Sequence, residues 1–300
     1  MQKIVPHFWF DKEALEAAQL YVSLFENSKM NGTQILPDTP SGDAMIVDFD
    51  LAGMNFNALS GGPFFTLNPS ISLMVACKDK EEVDRLHQVL REGGQDLMPL
   101  DVYPFSPWYA WIEDRYGLTW QLMLTEEYES VPRIRPVLLF AGDAVGHAED
   151  FMSHMLSLFP QSEKGEVAYY TPEQPHHEKA RISYGEIILE GTPLVVMDHG
   201  EGGDFTFNEA FSLIVNCKDQ EEIDYYWNRL SYVPESEQCG WLKDQQGISW
   251  QIVPEDMNRI LFEGTEEQIR RITEAFLTMK KLDLIELDLA RIGEESVKKH

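Results

Sequence analysis

The hydrophobic pattern of the chain predicts short strands interrupted by single helices. Apolar runs and alternating segments bounded by glycine, proline or aspartate favour strands. In the first 130 residues these strands fall at 4–10, 44–53, 54–62, 71–77, 107–113 and 118–124. Apolar positions at helical spacing predict a first helix within 11–25. A second helix follows Asp79, which forms a capping-box pattern with Glu82, and ends near Gly93.

The same order of signals then occurs again. Residues 65–86 (FTLNPSISLMVACKDKEEVDRL) and 205–226 (FTFNEAFSLIVNCKDQEEIDYY) are identical at 12 of 22 positions. Residues 111–123 (WIEDRYGLTWQLM) match 241–253 (WLKDQQGISWQIV), with Trp, Asp, Gly, Trp and Gln in register. Similar segments that recur in the same order indicate a tandem duplication of a whole domain.

We therefore divide the chain into domain 1 at 1–130, domain 2 at 131–262 and a C-terminal helical tail at 263–300. In the tail, Thr265 and Gln268 form a capping-box pattern, and the apolar residues that follow share one helical face. We expect one amphipathic helix that continues through residues 282–292. The tail packs either against its own chain or against a second copy in a dimer.

Composition and charge exclude several classes of partner. The formal net charge is −27, so no basic surface is expected for nucleic acid or for anionic membranes. No apolar run approaches the 18 residues of a membrane-spanning helix, and the first residues lack the apolar core of a signal peptide. The three cysteines show no paired spacing, which favours reduced thiols and a cytoplasmic protein.

Several segments resemble a known family. HFWFD (7–11), YVSLFENS (21–28), QCGWLKDQQGISWQIVPEDM (238–257) and the repeated segments above resemble the PhnB-like family, often labelled 3-demethylubiquinone-9 3-methyltransferase. That family is part of the vicinal oxygen chelate superfamily, with glyoxalase I, extradiol dioxygenases and bleomycin-resistance proteins. The resemblance implies an α+β fold of two tandem glyoxalase-like domains, each of paired βαβββ modules forming a curled eight-stranded sheet, plus the C-terminal helix.

In single-domain relatives such modules commonly pair across a dimer, and here the covalent tandem would supply that pairing internally. The resemblance also implies a divalent metal in enzyme members, held by a histidine on the first strand, a glutamate on the last and two further ligands. Carried over by position, the corresponding residues are His7, Asn57, Gln121 and the vicinity of Ser70 in domain 1, and Val137, Val195, Gln251 and the vicinity of Ala210 in domain 2.

The residues of domain 1 form a neutral set, so His7 and Gln121 are only weak metal-ligand candidates and no cofactor is expected otherwise. His7 is either a hydrogen-bonded histidine or a ligand or base. In the strand 118–124, Gln121 points away from Trp120 and Leu122, so its amide either binds substrate oxygens or satisfies the backbone. The glycine pairs at 61–62 and 202–203 lie between predicted strands, which does not favour a nucleotide-type methyl-donor site.

Three functional hypotheses remain open. The first is a superfamily enzyme whose catalytic residues are His7 and Gln121, with Asn57 beside them. The second is a metal-free protein that binds or sequesters a small organic molecule. The third treats domain 2 as a scaffold for domain 1. The expected ligand-binding residues are Asn57, Trp111, Trp241 and Gln251. The expected assembly is a monomer or a homodimer.

Overall fold

The structure, a computed structural model, describes residues 1–174 and 176–294. The strands of the first half are β1 Ile4–Phe10, β2 Lys29–Thr39, β3 Gly42–Leu51, β4 Met54–Ser60, β5 Ile71–Cys77, β6 Gln95–Tyr103, β7 Ser106–Glu113 and β8 Thr119–Leu124. Those of the second half are β9 Ile134–Phe140, β10 Glu163–Tyr169, β11 Ile182–Leu189, β12 Thr192–Asp198, β13 Phe211–Cys217, β14 Trp241–Lys243 and β15 Ser249–Pro254. The helices are α1 Ala14–Leu24, α2 Lys80–Leu90, α3 Ala148–Leu158, α4 Gln220–Leu230, α5 Met257–Glu263, α6 Glu266–Leu277 and α7 Leu284–Ile292.

These elements form four modules with one helix each, followed by the tail. Module 1 contains β1–β4 and α1, and module 2 contains β5–β8 and α2. Module 3 contains β9–β12 and α3, and module 4 contains β13–β15 and α4. The predicted α+β class, the duplication and the helical C-terminus are therefore confirmed. The edge strands β2, β6 and β10 were missed because their sequences are largely polar and their side chains largely exposed.

Each sheet is shared between the two halves of the chain. Sheet A has the order β14-β15-β13-β1-β4-β3-β2 and joins module 1 to module 4. Sheet B has the order β10-β11-β12-β9-β5-β8-β7-β6 and joins module 2 to module 3. At the centre of each sheet the first strands of two modules pair antiparallel, β1 with β13 and β5 with β9. The modules of one half thus lie in different sheets.

Within a half, the two modules pack through their helix-covered faces. Phe25, at the end of α1, stacks on Trp120 of β8 with ring centroids 5.9 Å apart. Phe159 stacks on Trp250 at the same distance in the second half. These faces merge into one apolar core that contains residues of both sheets. The opposite face of each sheet, which we call its cleft face, turns away from α1–α4.

The repeated Trp-Asp-Gly-Trp pattern has a structural origin. The buried carboxylate of Asp114 accepts hydrogen bonds from the backbone N–H of Leu118 and from Trp120 Nε1, at 3.1 and 2.8 Å. Gly117 completes this turn with φ of +85°, a conformation that glycine adopts without strain. Asp244 makes the equivalent bonds in the second half. The pattern therefore fixes the β-turn that precedes the last strand of each half.

The tail packs against its own chain. The Thr265 capping box is present, and α6 contacts β2 of sheet A. The expectation of one continuous helix is wrong. The helix ends at Leu277, and α7 begins after Asp283, whose side chain accepts from the N–H groups of Ile285 and Glu286. Residues 295–300 of the predicted tail lie outside the described residues.

The break in the tail coincides with a deletion in the second half. Within the described residues, no strand between α4 and β14 corresponds to β6, so sheet A has one strand fewer than sheet B. At that edge the carbonyls of Met279 and Lys280 accept from the N–H groups of Cys239 and Gly240, both at 2.7 Å. The tail therefore satisfies backbone groups that β6 and β7 satisfy for each other in sheet B.

Among the residues that the structure describes, no helix is both long and apolar enough to cross a membrane.

Candidate functional site

The cleft face of sheet A and the C-terminal helices that follow β15 line a cavity of about 130 Å³ that is partly open to solvent. Strands of modules 1 and 4 form its floor, and α5, α6 and the segment after α6 form its roof. The walls are mainly aliphatic and aromatic, and no charged side chain of the described residues lines them. The cavity is thus an uncharged space with a few polar side chains.

Four of those polar side chains lie on the floor and belong to four different strands: His7, Asn57, Asn216 and Gln251. His7 on β1 is paired in register with Asn57 on β4 and with Ser212 on β13. Gln251 on β15 donates through Nε2 to Ser212 Oγ at 2.9 Å, and Ser212 Oγ also lies 3.2 Å from His7 Nδ1. One buried serine therefore holds both the imidazole and the amide in place.

This network decides which nitrogen of His7 carries the proton. The Ser212 hydroxyl accepts from Gln251, and its own proton has no acceptor other than His7 Nδ1 among the described residues. We therefore assign Nδ1 as the acceptor and Nε2 as the N–H donor. Burial lowers the pKa of His7 to about 3, with a smaller opposing effect of its own backbone, so the ring is neutral near pH 7. Trp241 meets this ring edge-to-face at 5.4 Å.

Two polar side chains on this floor have groups without a hydrogen-bond partner among the described residues. The side chain of Asn57 is 4% exposed, and its amide has no hydrogen-bond partner among the described residues. The same holds for the carbonyl oxygen of Gln251, whose Nε2 is bonded to Ser212. Neither group is sealed from the cavity space, so each can bond to water or to a polar occupant of the cavity.

The structure brings together a different set of residues from the one expected. His7 and Asn57 meet Gln251 and Trp241 of the second half, whereas Gln121 and Trp111 lie on the cleft face of sheet B. The reason is the sheet pairing, because modules 1 and 2 contribute to opposite sheets. The residues paired with Val137 and His7 are Ser72 on β5 and Ser212 on β13. Each lies two residues after the expected position, Ser70 or Ala210.

In sheet B the amide of Gln121 is bonded at both ends. Its Nε2 donates to Ser72 Oγ at 2.7 Å, and its oxygen accepts from the Tyr109 hydroxyl at 3.0 Å. Val137 and Val195 stand where sheet A has His7 and Asn57, and they pack with Met74 in a small apolar cluster. Gln121 therefore serves as a hydrogen-bond partner for other side chains of sheet B.

A buried cation fills the rest of this cleft face. Arg135 on β9 donates to Glu186 at 2.5 Å and to the Tyr184 hydroxyl at 2.7 Å. The Arg135 side chain is 4% exposed and that of Glu186 is 29% exposed. The sequence reading missed this group, although an arginine inside the apolar run 134–140 was visible as a residue that needs a partner.

The floor of sheet A does not fit a divalent metal. The four positions that correspond to superfamily ligands carry His7, Asn57, Ser212 and Gln251, which supply one imidazole, two amides and one hydroxyl. None of these donors is anionic, and His7 Nδ1 already faces the serine hydroxyl. A dication in such a buried site would have no compensating charge. No group of three or more His, Cys, Asp or Glu residues suited to a metal occurs in the described part of the chain.

Comparisons with known proteins agree with this architecture. A family model described as 3-demethylubiquinone-9 3-methyltransferase matches residues 2–123 and again residues 132–253. The chain belongs to this family. Both matches end before α5, so the roof of the cavity lies outside the part of the chain that defines the family. The PhnB-like resemblance found in the sequence is confirmed.

The chain is also similar to proteins of known structure. The chain is 34% identical to the PhnB protein from Bacillus cereus over 41% of this chain and 100% of that one, with a TM-score of 0.39. Glyoxalase I from Zea mays is 11% identical over 87% of this chain and 96% of that one, with a TM-score of 0.55, which shows a shared fold. No functionally curated protein matches the chain.

Proposed function

We propose that the cavity of sheet A binds a small uncharged organic molecule that contains one ring. The observation that carries this proposal is the group of neutral polar side chains, His7, Asn57 and Gln251, on the floor of an otherwise apolar cavity. They supply an N–H donor, an amide with both functions and a carbonyl acceptor. Apolar walls with a few fixed polar groups are typical of sites for small organic ligands.

The size of the cavity limits the ligand. An apolar protein cavity of roughly 150 Å³ accepts benzene, and the cavity here has a volume of about 130 Å³. One ring with small substituents fits this space. A nucleoside-bearing methyl donor together with a second substrate does not, which argues against the methyltransferase activity named in the family description.

The chemistry of the floor favours binding over acid–base or metal catalysis. With its pKa lowered to about 3, His7 is not in its acidic, cationic form at neutral pH and is a weak base. The donor set holds a single imidazole and no carboxylate or thiolate, which is a poor set for a divalent metal. A ligand with a full charge would also lose its hydration without gaining a counter-charge.

The test compares benzamide, which is neutral, with benzoate, which has nearly the same shape and a negative charge. Binding is measured by calorimetry and by the rate at which N-ethylmaleimide alkylates Cys239, a half-buried thiol in the cavity wall. Cys77 and Cys217 serve as internal controls because both are buried and burial raises the pKa of each to about 12.

We expect benzamide to slow Cys239 alkylation and benzoate to bind at least about tenfold more weakly, because a buried unpaired charge is costly. Gln251→Leu removes the carbonyl acceptor and should weaken benzamide binding about fivefold, the effect of one hydrogen bond. Gln121→Leu is the matched control in sheet B and should leave binding unchanged. Equal binding of both probes, no protection of Cys239, or equal effects of the two glutamine variants would overturn the proposal.

A further inference from the structure

Helix α5 contributes one polar side chain to the cavity, and it lies opposite the polar floor. The roof side chains include Met257 and Leu261 of α5, Phe276 of α6 and Leu282, which are all apolar. Asn258 is the exception. A ligand that fills the cavity therefore meets polar atoms on two sides, and the roof side is absent from the residues that the family model matches.

The orientation of the Asn258 amide is fixed by a residue of β3. Asn258 Nδ2 donates to Asp48 Oδ2 at 3.1 Å. The other oxygen of Asp48 accepts from Asn31 and Asn55, at 2.6 and 2.9 Å, so this carboxylate is itself held in place. Asp48 takes one N–H of the Asn258 amide, and the described residues offer no donor to its carbonyl oxygen, so this oxygen is a free acceptor at the cavity wall.

We propose that Asn258 is a specificity-determining residue. It selects ligands that carry an N–H or O–H donor on the side of the ring facing the roof. The inference rests on the proposed function and extends it from one polar end of the ligand to two. The ligand class is a neutral ring with an acceptor or donor toward the floor and a donor toward the roof. Helix α5, which follows the residues that the family model matches, then decides which single-ring molecules are accepted.

A purely structural role makes a different prediction. If Asn258 only fastens α5 to Asp48, its loss loosens the roof and weakens all ligands by a similar factor. If the Asn258 carbonyl oxygen accepts a hydrogen bond from the ligand, its loss affects only ligands that carry a donor. The ratio of two affinities separates the two roles, because general loosening cancels from the ratio.

The probes are 4-methylphenol and 4-aminophenol, which differ by a methyl group and an amine of similar size. Wild type and Asn258→Leu, a substitution of similar volume, are titrated with both by calorimetry in full-length protein. We expect wild type to bind 4-aminophenol about fivefold more tightly than 4-methylphenol, as one added hydrogen bond allows. In Asn258→Leu the order should reverse, because the amine then loses water without gaining an acceptor.

A second variant guards against loss of the roof. Leu261→Ala removes apolar contact from the same helix and should weaken both probes alike while keeping the wild-type preference. The inference is overturned if Asn258→Leu retains the wild-type ratio. If benzamide fails to protect Cys239 in wild type, the proposed function fails and this inference fails with it. Protection by benzamide with an unchanged ratio removes the inference alone.

Discussion

On the cleft face of sheet B the amide of Gln121 is bonded at both ends, to Ser72 and Tyr109, whereas Gln251 in sheet A keeps only the serine contact. The position of Tyr109, two residues before the repeated tryptophan, is occupied by Cys239 in the second half. A phenol thus stands where the other sheet has a small thiol beside the cavity. One aligned position accounts for much of the difference between a filled cleft and an open one.

The histidine and arginine positions differ in the same way. Sheet B is closed by Arg135 with Tyr184 and Glu186, and valines replace the polar pair His7 and Asn57. Sheet A has no such ion pair on its floor and is covered by the tail. Equivalent sheets of one chain thus differ: side chains fill the cleft of sheet B, whereas a cavity lies on sheet A. The following substitutions test that difference.

The largest effect on stability is expected when the ion pair in the cleft of sheet B is removed. Arg135→Ala removes the partner of a partly buried Glu186 and leaves the Tyr184 hydroxyl with an anion beside it. Breaking a buried ion pair costs about 3 kcal/mol, so unfolding in urea should require correspondingly less denaturant. His7→Ala in sheet A should cost about half as much, because the imidazole is neutral and makes one side-chain hydrogen bond. Similar losses from both variants would contradict the distinction.

The two glutamines should differ in stability as they do in bonding. Gln121→Leu leaves the buried Tyr109 hydroxyl and Ser72 without partners, which should lower the free energy of unfolding by about 2 kcal/mol. Gln251→Leu breaks one hydrogen bond at a half-buried site and should cost about 1 kcal/mol or less. Urea denaturation of both variants measures the difference, and an equal cost would mean that the Tyr109 contact contributes nothing.

Exchange at the Tyr109 and Cys239 position should move one cleft toward the other. Cys239→Tyr places a phenol in the cavity wall and should weaken benzamide binding about tenfold, equivalent to about 1.4 kcal/mol. Cys239→Ser keeps the side chain small and should retain binding. Tyr109→Phe leaves sheet A untouched and serves as the distant control. Unchanged benzamide affinity in Cys239→Tyr, measured by calorimetry, would show that this position does not limit the cavity.

The smallest effect concerns the two buried aspartates. Burial raises the pKa of both Asp114 and Asp244 to about 6, and Tyr21 opposes this at Asp114 by donating to its Oδ2 at 2.7 Å. The aligned residue in the second half is Met155, which donates nothing. Tyr21→Phe should raise the pKa of Asp114 further, since a donor that stabilises the ionised form is lost.

The sign follows from proton linkage. A carboxyl whose pKa is higher in the folded than in the unfolded state contributes stability below its folded pKa, and this is lost as the pH rises through it. Tyr21→Phe should therefore destabilise the protein by about 0.5–1 kcal/mol more near pH 7.5 than near pH 4.5. Thermal or urea unfolding at both pH values checks this, with Met155→Leu as the control. An equal loss at both pH values would indicate that the hydroxyl does not act on the ionised carboxylate.

Much of the fold was accessible from the sequence because local signals and the repeat agreed. The strand at Ile4–Phe10, the cap at Asp79 and the capping box at Thr265 each depend on neighbouring residues alone. The alternation around Gln121 also placed its side chain correctly on the face opposite Trp120 and Leu122. These features need no knowledge of which strands pair.

The grouping of the site was not accessible for the opposite reason. Pairing module 1 with module 2 and pairing it with module 4 bury the same apolar positions, so the pattern of hydrophobic residues cannot choose between them. That choice decides whether His7 meets Gln121 or Gln251. The roles assigned to His7, Asn57, Gln251 and Trp241 remain predictions. The contribution of Asn258 depends on the contact of α5 with Asp48 of β3, which is distant in sequence.

The sharing of each sheet between halves changes how this chain can diverge. In a symmetric pair of identical short chains, every substitution appears in both clefts at once, so a residue that improves one also alters the other. After fusion, His7 can persist beside one cavity while Val137 fills the other. The linker at 126–133 thus allows the clefts of sheets A and B to accumulate mutations independently. One cleft can change its chemistry while the other preserves the fold.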